Sequence, residues 1–212
     1  MKIILCDTDE HVVRAWEQFC GDLDYISIRR GSILDCSADA LVSPANSFGF
    51  MDGGIDATYV SYFGSGIQKR VQRQILDHHA GELIVGAADM VETGSTAHPY
   101  LIIAPTMRVP MILRDSVNAY LAMRAVLLLV SQGRFRDGPH RGENIGEQVQ
   151  IVAMPGLGTG IGTMGPNTCA HQMRVAVDDI LLGRFQLPNS WAEASIRHQN
   201  LYTTNIRHLQ QE

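Results

Sequence analysis

Two glycine-rich segments, each set between a short apolar run and a stretch with helical spacing, constrain this chain more than any other feature. The first, SPANSFGFMDGGID, runs from Ser43 to Asp56, and the second, PGLGTGIGTMGP, from Pro155 to Pro166. The runs before them, 40–43 and 149–154, have the length and apolar content of buried strands, and Pro44 ends the first. A strand that passes through a glycine loop into a helix puts that loop at the carboxyl edge of an α/β sheet, where open sheets hold their ligands. Glycines let the main chain turn with positive φ and approach a ligand with no Cβ between. The amides at the start of the following helix then meet an anion with the positive end of the helix dipole. Two such loops face to face clamp a diphosphate without lysine, and neither loop contains a basic residue.

The rest of the chain alternates strands and helices. Residues 2–6 read as a buried strand. Thr8 or Asp9 is placed to cap a helix carrying Val12, Val13, Trp16 and Phe19 through Cys20. One or two short strands span 25–34 around Gly31. A helix starts near Ala57, breaks near Gly64–Gly66 and resumes with Ile67, Val71 and Ile75. Strands are expected over 83–91 and 100–107. A helix over 116–131 carries Val117, Leu121, Arg124 and Leu128 on one stripe, and the last helix runs from about Asn167 to Leu182. Residues 133–147 are polar and glycine-rich and read as an exposed, mobile loop. This order predicts one three-layer α/β/α domain over 1–182, with a polar tail over 183–212.

Composition narrows the function. A length of 212 residues suits a single α/β domain, and a formal charge of −5 argues against sequence-independent nucleic-acid binding, which needs a basic face. Cys6, Cys20, Cys36 and Cys169 form no CxxC pair and read as reduced thiols of a cytoplasmic protein. The eight histidines show no spaced-ligand pattern, so no metal is expected, and no separate cofactor is implied. No apolar run is long enough for a membrane span or a signal peptide. A P-loop is absent. Gly160, Gly162 and Gly165 match GxGxxG, but the acids about where a dinucleotide fold needs one, Asp178 and Asp179, fall in a predicted helix with only a short tail beyond.

From Val42-Ser43-Pro44-Ala45-Asn46-Ser47 through Gly53-Gly54-Ile55-Asp56, the chain resembles the macrodomain signature. The second loop, Pro155 to Gly162, resembles that family's phosphate loop, and Gly31-Ser32-Ile33 its Gly-Asp-Ile turn. The resemblance implies a three-layer α/β/α fold with a mixed central sheet and a crevice for ADP-ribose or an ADP-ribosylated target. Carried over by position, it implies Asn46 and Asp56 at the distal ribose, Gly53 and Gly54 along the diphosphate and distal ribose, Gly158, Thr159, Gly160, Ile161 and Gly162 around the diphosphate, and Ile33 against the adenine. Ser43, Ser32 and Val60 stand where the family has Asn, Asp and, in many members, His. The resemblance also implies hydrolysis of an ADP-ribosyl linkage or of O-acetyl-ADP-ribose, with Asp56 orienting water and Asn46 assisting. From the residues alone, Asp56 equally suits a helix cap and Asn46 a turn. An ADP-ribose reader without turnover, or an interaction module working through its tail, remains an alternative. Phe48 or Phe50 is a candidate shield for the distal ribose, and Arg108 is a candidate for the crevice border.

Overall fold

The computed structural model describes residues 1–202. Its strands are β1 (Lys2–Asp7), β2 (Ile26–Arg30), β3 (Ala40–Ser43), β4 (Asp89–Glu92), β5 (Tyr100–Ile103) and β6 (Ile151–Met154). They form one sheet in the order β2-β1-β6-β3-β5-β4, with every neighbouring pair parallel except β4 and β5. The sheet is therefore mixed, with its antiparallel strand at one edge.

Strand side chains alternate between two cores because successive Cβ atoms point to opposite faces. Ala40 and Val42 join Ile3, Leu5, Val152 and Met154 in one core, while Leu41 joins Leu101, Ile103 and Ala153 in the other. Helices α1 (Glu10–Cys20), α4 (Asn118–Gln132) and α6 (Pro166–Ile180) cover the first face. Helices α2 (Gly54–Phe63) and α3 (Gly66–His79) cover the second. Both faces are thus buried, which is why the central strands are apolar throughout rather than alternating with polar residues. Asp9 caps α1 by accepting from His11 N at 2.8 Å, and Trp16 on that helix packs fully buried with its Nε1 donating to Met173 Sδ at 3.4 Å.

Several elements differ from their sequence pattern. The strand expected over 83–91 pairs only at Asp89–Glu92, because Leu83 N donates instead to Ser47 O at 2.9 Å and Gly86 turns the chain with φ of 94°. The strand expected over 100–107 ends at Ile103, and its continuation follows the first glycine loop, with Ala104 N donating to Ser43 O and Thr106 N to Ala45 O. Residues 31–36 form a 3₁₀ turn at Ile33–Asp35 in place of a second strand. The stripe Val117, Leu121, Arg124 and Leu128 is only half-buried. The inner face of α4 is Ala119, Ala122, Met123, Val126, Leu127 and Val130. So much of that helix is apolar that its pattern selects no face, and packing against α6 decides which side is buried. α2 begins at Gly54 rather than Ala57, which moves Asp56 from the cap into the first turn.

Segment 133–147 folds back on itself through a bridge between Arg134 and Asn144, enters α5 (Ile145–Gln148) and sends Phe135 and Ile145 into the core. Past α6, the chain returns as α7 (Trp191–Asn200), capped by Ser190. It is tied down where the His171 ring meets Asn200 O at 2.8 Å and Gln172 Nε2 donates to Leu201 O at 3.2 Å. No helix among the described residues is long and apolar enough to cross a membrane.

Candidate functional site

The parallel strands β1, β6 and β3 are neighbours, so Asp7, the second glycine loop and the first glycine loop emerge side by side at one edge of the sheet. Between them lies a crevice of about 470 Å³. It is lined by the ten positions carried over from the family resemblance: Ile33, Asn46, Gly53, Gly54, Asp56, Gly158, Thr159, Gly160, Ile161 and Gly162. The two loops face each other closely. A Cβ built on Gly53 would stand 3.5 Å from Ile161 Cδ1.

In the second loop, three of the five carbonyls from Gly158 to Gly162 are engaged while the amides are not. The carbonyls of Gly158, Gly160 and Gly162 accept from Met164 N, Thr163 N and Leu113 N at 3.0, 3.0 and 2.7 Å. None of the five amides from Gly158 to Gly162 finds an acceptor among the described residues. A concave run of unpaired amides is an anion-binding surface. Glycine is required here for two reasons: Gly158 has φ of 79°, and a Cβ on Gly158 or Gly162 would come within 2.9 or 2.8 Å of Leu113 Cδ1. Leu113 is fully buried beneath the loop and supports it from behind.

Across the crevice, no side chain caps the first turn of α2, so its leading amides also stand free. Asp56, the third residue of that helix, is 6% exposed, and Ser43 Oγ donates to its Oδ1 at 2.6 Å. Burial pushes the Asp56 carboxyl up to about 7; the Ser43 hydroxyl opposes that shift and the nearby Asp52 adds to it. Tyr59 OH donates to Val42 O at 3.0 Å and seats α2 against the end of β3. At the other end of the crevice, Ile33 forms a buried wall, and Ser32 accepts from Leu34 N at 3.2 Å to cap the 3₁₀ turn.

Asn46 lines the crevice, yet its amide builds its own loop. Nδ2 donates to Phe50 O at 2.8 Å, and Oδ1 accepts from Phe48 N and Phe50 N at 3.1 and 3.3 Å. Phe48 turns away to lie under Arg108, which pairs with Glu82 at 2.7 Å, so Arg108 is not part of the crevice. Phe50 and Ile161 stand at the mouth, each more than half exposed.

Two supports, Asp7 and Leu113, were not marked in the sequence, and Ser43 was marked only as standing where the family has Asn. Asp7 Oδ1 accepts from Asp9 N at 2.9 Å and Oδ2 from Gly156 N at 3.0 Å, which ties the end of β1 to the second loop. The only hint was an acid at a strand end just before a helix cap. Among the described residues, the charged lining consists of Asp7, Asp9, Asp52 and Asp56, without Lys, Arg or His, so an anion meets main-chain amides and neutral side-chain donors rather than a cation. Asp178 and Asp179 lie in α6, paired with Arg174 and with Tyr120 OH, far from the role that a dinucleotide fingerprint assigns such an acid. Among the described residues, no group of three His, Cys, Asp or Glu side chains is arranged to hold a metal ion.

The family model described as "Macro domain" matches residues 42–173. An uncharacterized protein of Aquifex aeolicus is 30% identical over 148 residues, covering 70% of this chain and 78% of its own length. Among solved structures, the macrodomain of Mycobacterium tuberculosis DarG superposes with a TM-score of 0.55 at 18% identity, over 71% of this chain and 88% of that one. The Oceanobacillus iheyensis macrodomain, as a glycine-to-valine mutant with ADPR, gives 0.57 at 15% identity, over 86% of this chain and 91% of that one. These two likenesses carry the three-layer arrangement of helices around a mixed sheet.

Proposed function

Because this chain belongs to the Macro domain family, we propose that its crevice binds ADP-ribose or a close derivative. The observation that carries this reading is the row of five unpaired amides, Gly158 to Gly162, facing the uncapped start of α2 across a gap sized for a nucleotide sugar. In this reading the diphosphate lies along the second loop, the adenine end against Ile33, and the distal ribose beside Gly53, Gly54, Asn46 and Asp56. The solved Oceanobacillus relative with ADPR supports the choice of ligand.

At the distal ribose, Asp56 supplies the chemistry for hydrolysis of an ADP-ribosyl linkage or of O-acetyl-ADP-ribose. A carboxyl poised near neutrality takes a proton from water as the water oxygen bonds to the ribose or acyl carbon. It returns that proton to the departing group as the old bond breaks. A second reading, an ADP-ribose reader without turnover, is favoured by one observation: the Asn46 amide is engaged in its own loop rather than held free to help orient a water.

The test is a thermal-shift and calorimetry panel with ADP-ribose, AMP, NAD and ribose 5-phosphate, followed by release of ADP-ribose from a mono-ADP-ribosylated protein. Stabilisation by ADP-ribose above that by AMP and ribose 5-phosphate is expected, growing with ligand as RT ln(1 + [L]/Kd). Turnover lost in Asp56→Ala supports the hydrolase. Tight binding with no turnover supports the reader, and no ADP-ribose binding removes both.

A further inference from the structure

We infer that Ser43 is a positioning residue for Asp56: from the end of β3, its hydroxyl holds Oδ1 and leaves Oδ2 as the oxygen that faces the crevice and exchanges protons there. The inference rests on the role proposed for Asp56 in hydrolysis, but its central readout needs no substrate.

The geometry is local and buried. Ser43 is the last residue of β3 and is 1% exposed, while Asp56 lies one loop later in the first turn of α2. The contact is 2.6 Å, a length typical of a hydroxyl donating to an acid oxygen. Asp56 Oδ2 accepts nothing from the described residues, although Asp56 lines the crevice. A serine hydroxyl has one hydrogen, and donating it to Oδ1 favours the acid proton on the other oxygen. Proton exchange is thereby confined to one oxygen on the ligand side.

Among the described residues, this is the side-chain hydrogen bond that stabilises the charged carboxylate, added to the general pull of the α2 N-terminus. Asp52, in the loop before α2, repels it, and burial disfavours it. Asp7 and Cys6 at the end of β1 also line the crevice; both Asp7 oxygens are occupied by the amides of Asp9 and Gly156, and burial pushes the Cys6 thiol up to about 12. Tyr59, on the same helix as Asp56, is turned to Val42 O. Among the described residues, no Lys, Arg or His lines the crevice to replace Ser43. Removing the hydroxyl therefore moves Asp56 titration in one direction, upward.

The experiment is a carbon-13 NMR titration of aspartate carboxyls in the full chain without ligand, for the parent, Ser43→Ala and Ser43→Thr, with Asp56→Asn identifying the signal. The parent midpoint is expected near 7. Ser43→Ala, a loss of one buried atom that leaves the helix cap and loops intact, is expected to raise the midpoint, and Ser43→Thr, which keeps the hydroxyl, to restore it. The acid limb of the pH–rate profile should move with the midpoint, since a rise of about one pH unit lowers the rate below the limb about tenfold. A residue that merely filled space would lower the rate at every pH and leave the midpoint unmoved. An unchanged Asp56 midpoint in Ser43→Ala overturns the inference. A shifted midpoint in a chain that binds ADP-ribose but never turns it over supports the Ser43 inference and defeats the hydrolase reading instead.

Discussion

Replacing Asp56 by Asn should make the folded chain more stable at neutral and alkaline pH, and only there. Burial raises this carboxyl from the ordinary 3.8 of an aspartate to about 7 in the folded chain. The folded state therefore holds the Asp56 proton more tightly than the unfolded state. A raised value means that the stability contributed by the neutral acid is fully present below pH 3.8 and is lost as pH rises through 7. Each pH unit between the two values corresponds to about 1.4 kcal/mol, so the ionised, buried carboxylate costs the fold about 4 kcal/mol above pH 7. Asparagine has nearly the same shape, never ionises, and offers the Ser43 hydroxyl an amide oxygen in place of Oδ1. Allowing for local relaxation and imperfect amide pairing, the expected gain is about 2–4 kcal/mol at pH 8, shrinking to nothing by about pH 4. Urea denaturation of parent and variant at pH 4, 6 and 8 measures the difference directly, because every other titrating group is common to both chains. A pH-independent gap between the curves, or a gain that is largest in acid, would refute the reasoning. The same variant should lose turnover, which would show stability being sacrificed for a titratable group in the crevice.

Gly158→Ala forces a left-handed residue and a Cβ against Leu113, so it should cost about 1–3 kcal/mol and weaken ADP-ribose binding. Gly160→Ala meets open space and should change stability by less than about 0.5 kcal/mol; equal losses in thermal melts of the two variants would contradict the strain argument. Asp7→Ala frees the amides of Gly156 and Asp9, with an expected cost of about 1–3 kcal/mol and faster hydrogen exchange at Gly156; unchanged exchange there would show that the loop needs no such tether. Phe50→Ala and Ile161→Ala remove exposed side chains at the mouth and should leave the melting temperature within a few degrees while weakening calorimetric affinity for ADP-ribose. Unaltered affinity in the double variant would end any role for them as a cover.

The two loops were legible because glycine marks them locally. A run such as Gly158-Thr159-Gly160-Ile161-Gly162 after an apolar strand has few ways to fold, and only Ile55 separates Asp56 from its glycine pair. What was not legible is held by bonds between distant strand ends. Asp7 meets Gly156 across 149 positions, and Leu113 reaches beneath Gly158 and Gly162 from a segment without a regular pattern. Such contacts depend on which strands become neighbours, and a local window contains no information about that. The overlong strand expectations at 83–91 and 100–107 have the same origin. Their apolar residues continue past the paired region because they follow the first loop rather than another strand, as the bonds to Ser47 O, Ser43 O and Ala45 O record. Asn46 shows a different limit: its residue type suited either a ligand contact or a turn, and three hydrogen bonds within 46–50 reveal that at least the turn role is filled.

The strand order also explains why the crevice exists at all. β6 lies between β1 and β3, and the chain leaves those strands towards different faces. After β1 and β6 it passes to α1 and α6 on one side of the sheet, and after β3 to α2 on the other. Loops that diverge in this way cannot pack over the strand ends between them, so a gap opens where the direction of winding changes. Ser43 at the end of β3 and the amides following β6 stand on opposite banks of that gap. A buried acid and a row of free amide donors are thereby brought within the length of one ligand, although neither is near the other in sequence. Thr159, Gly160 and Ile161 are partly or well exposed, so their unpaired amides are open to solvent and to a ligand alike.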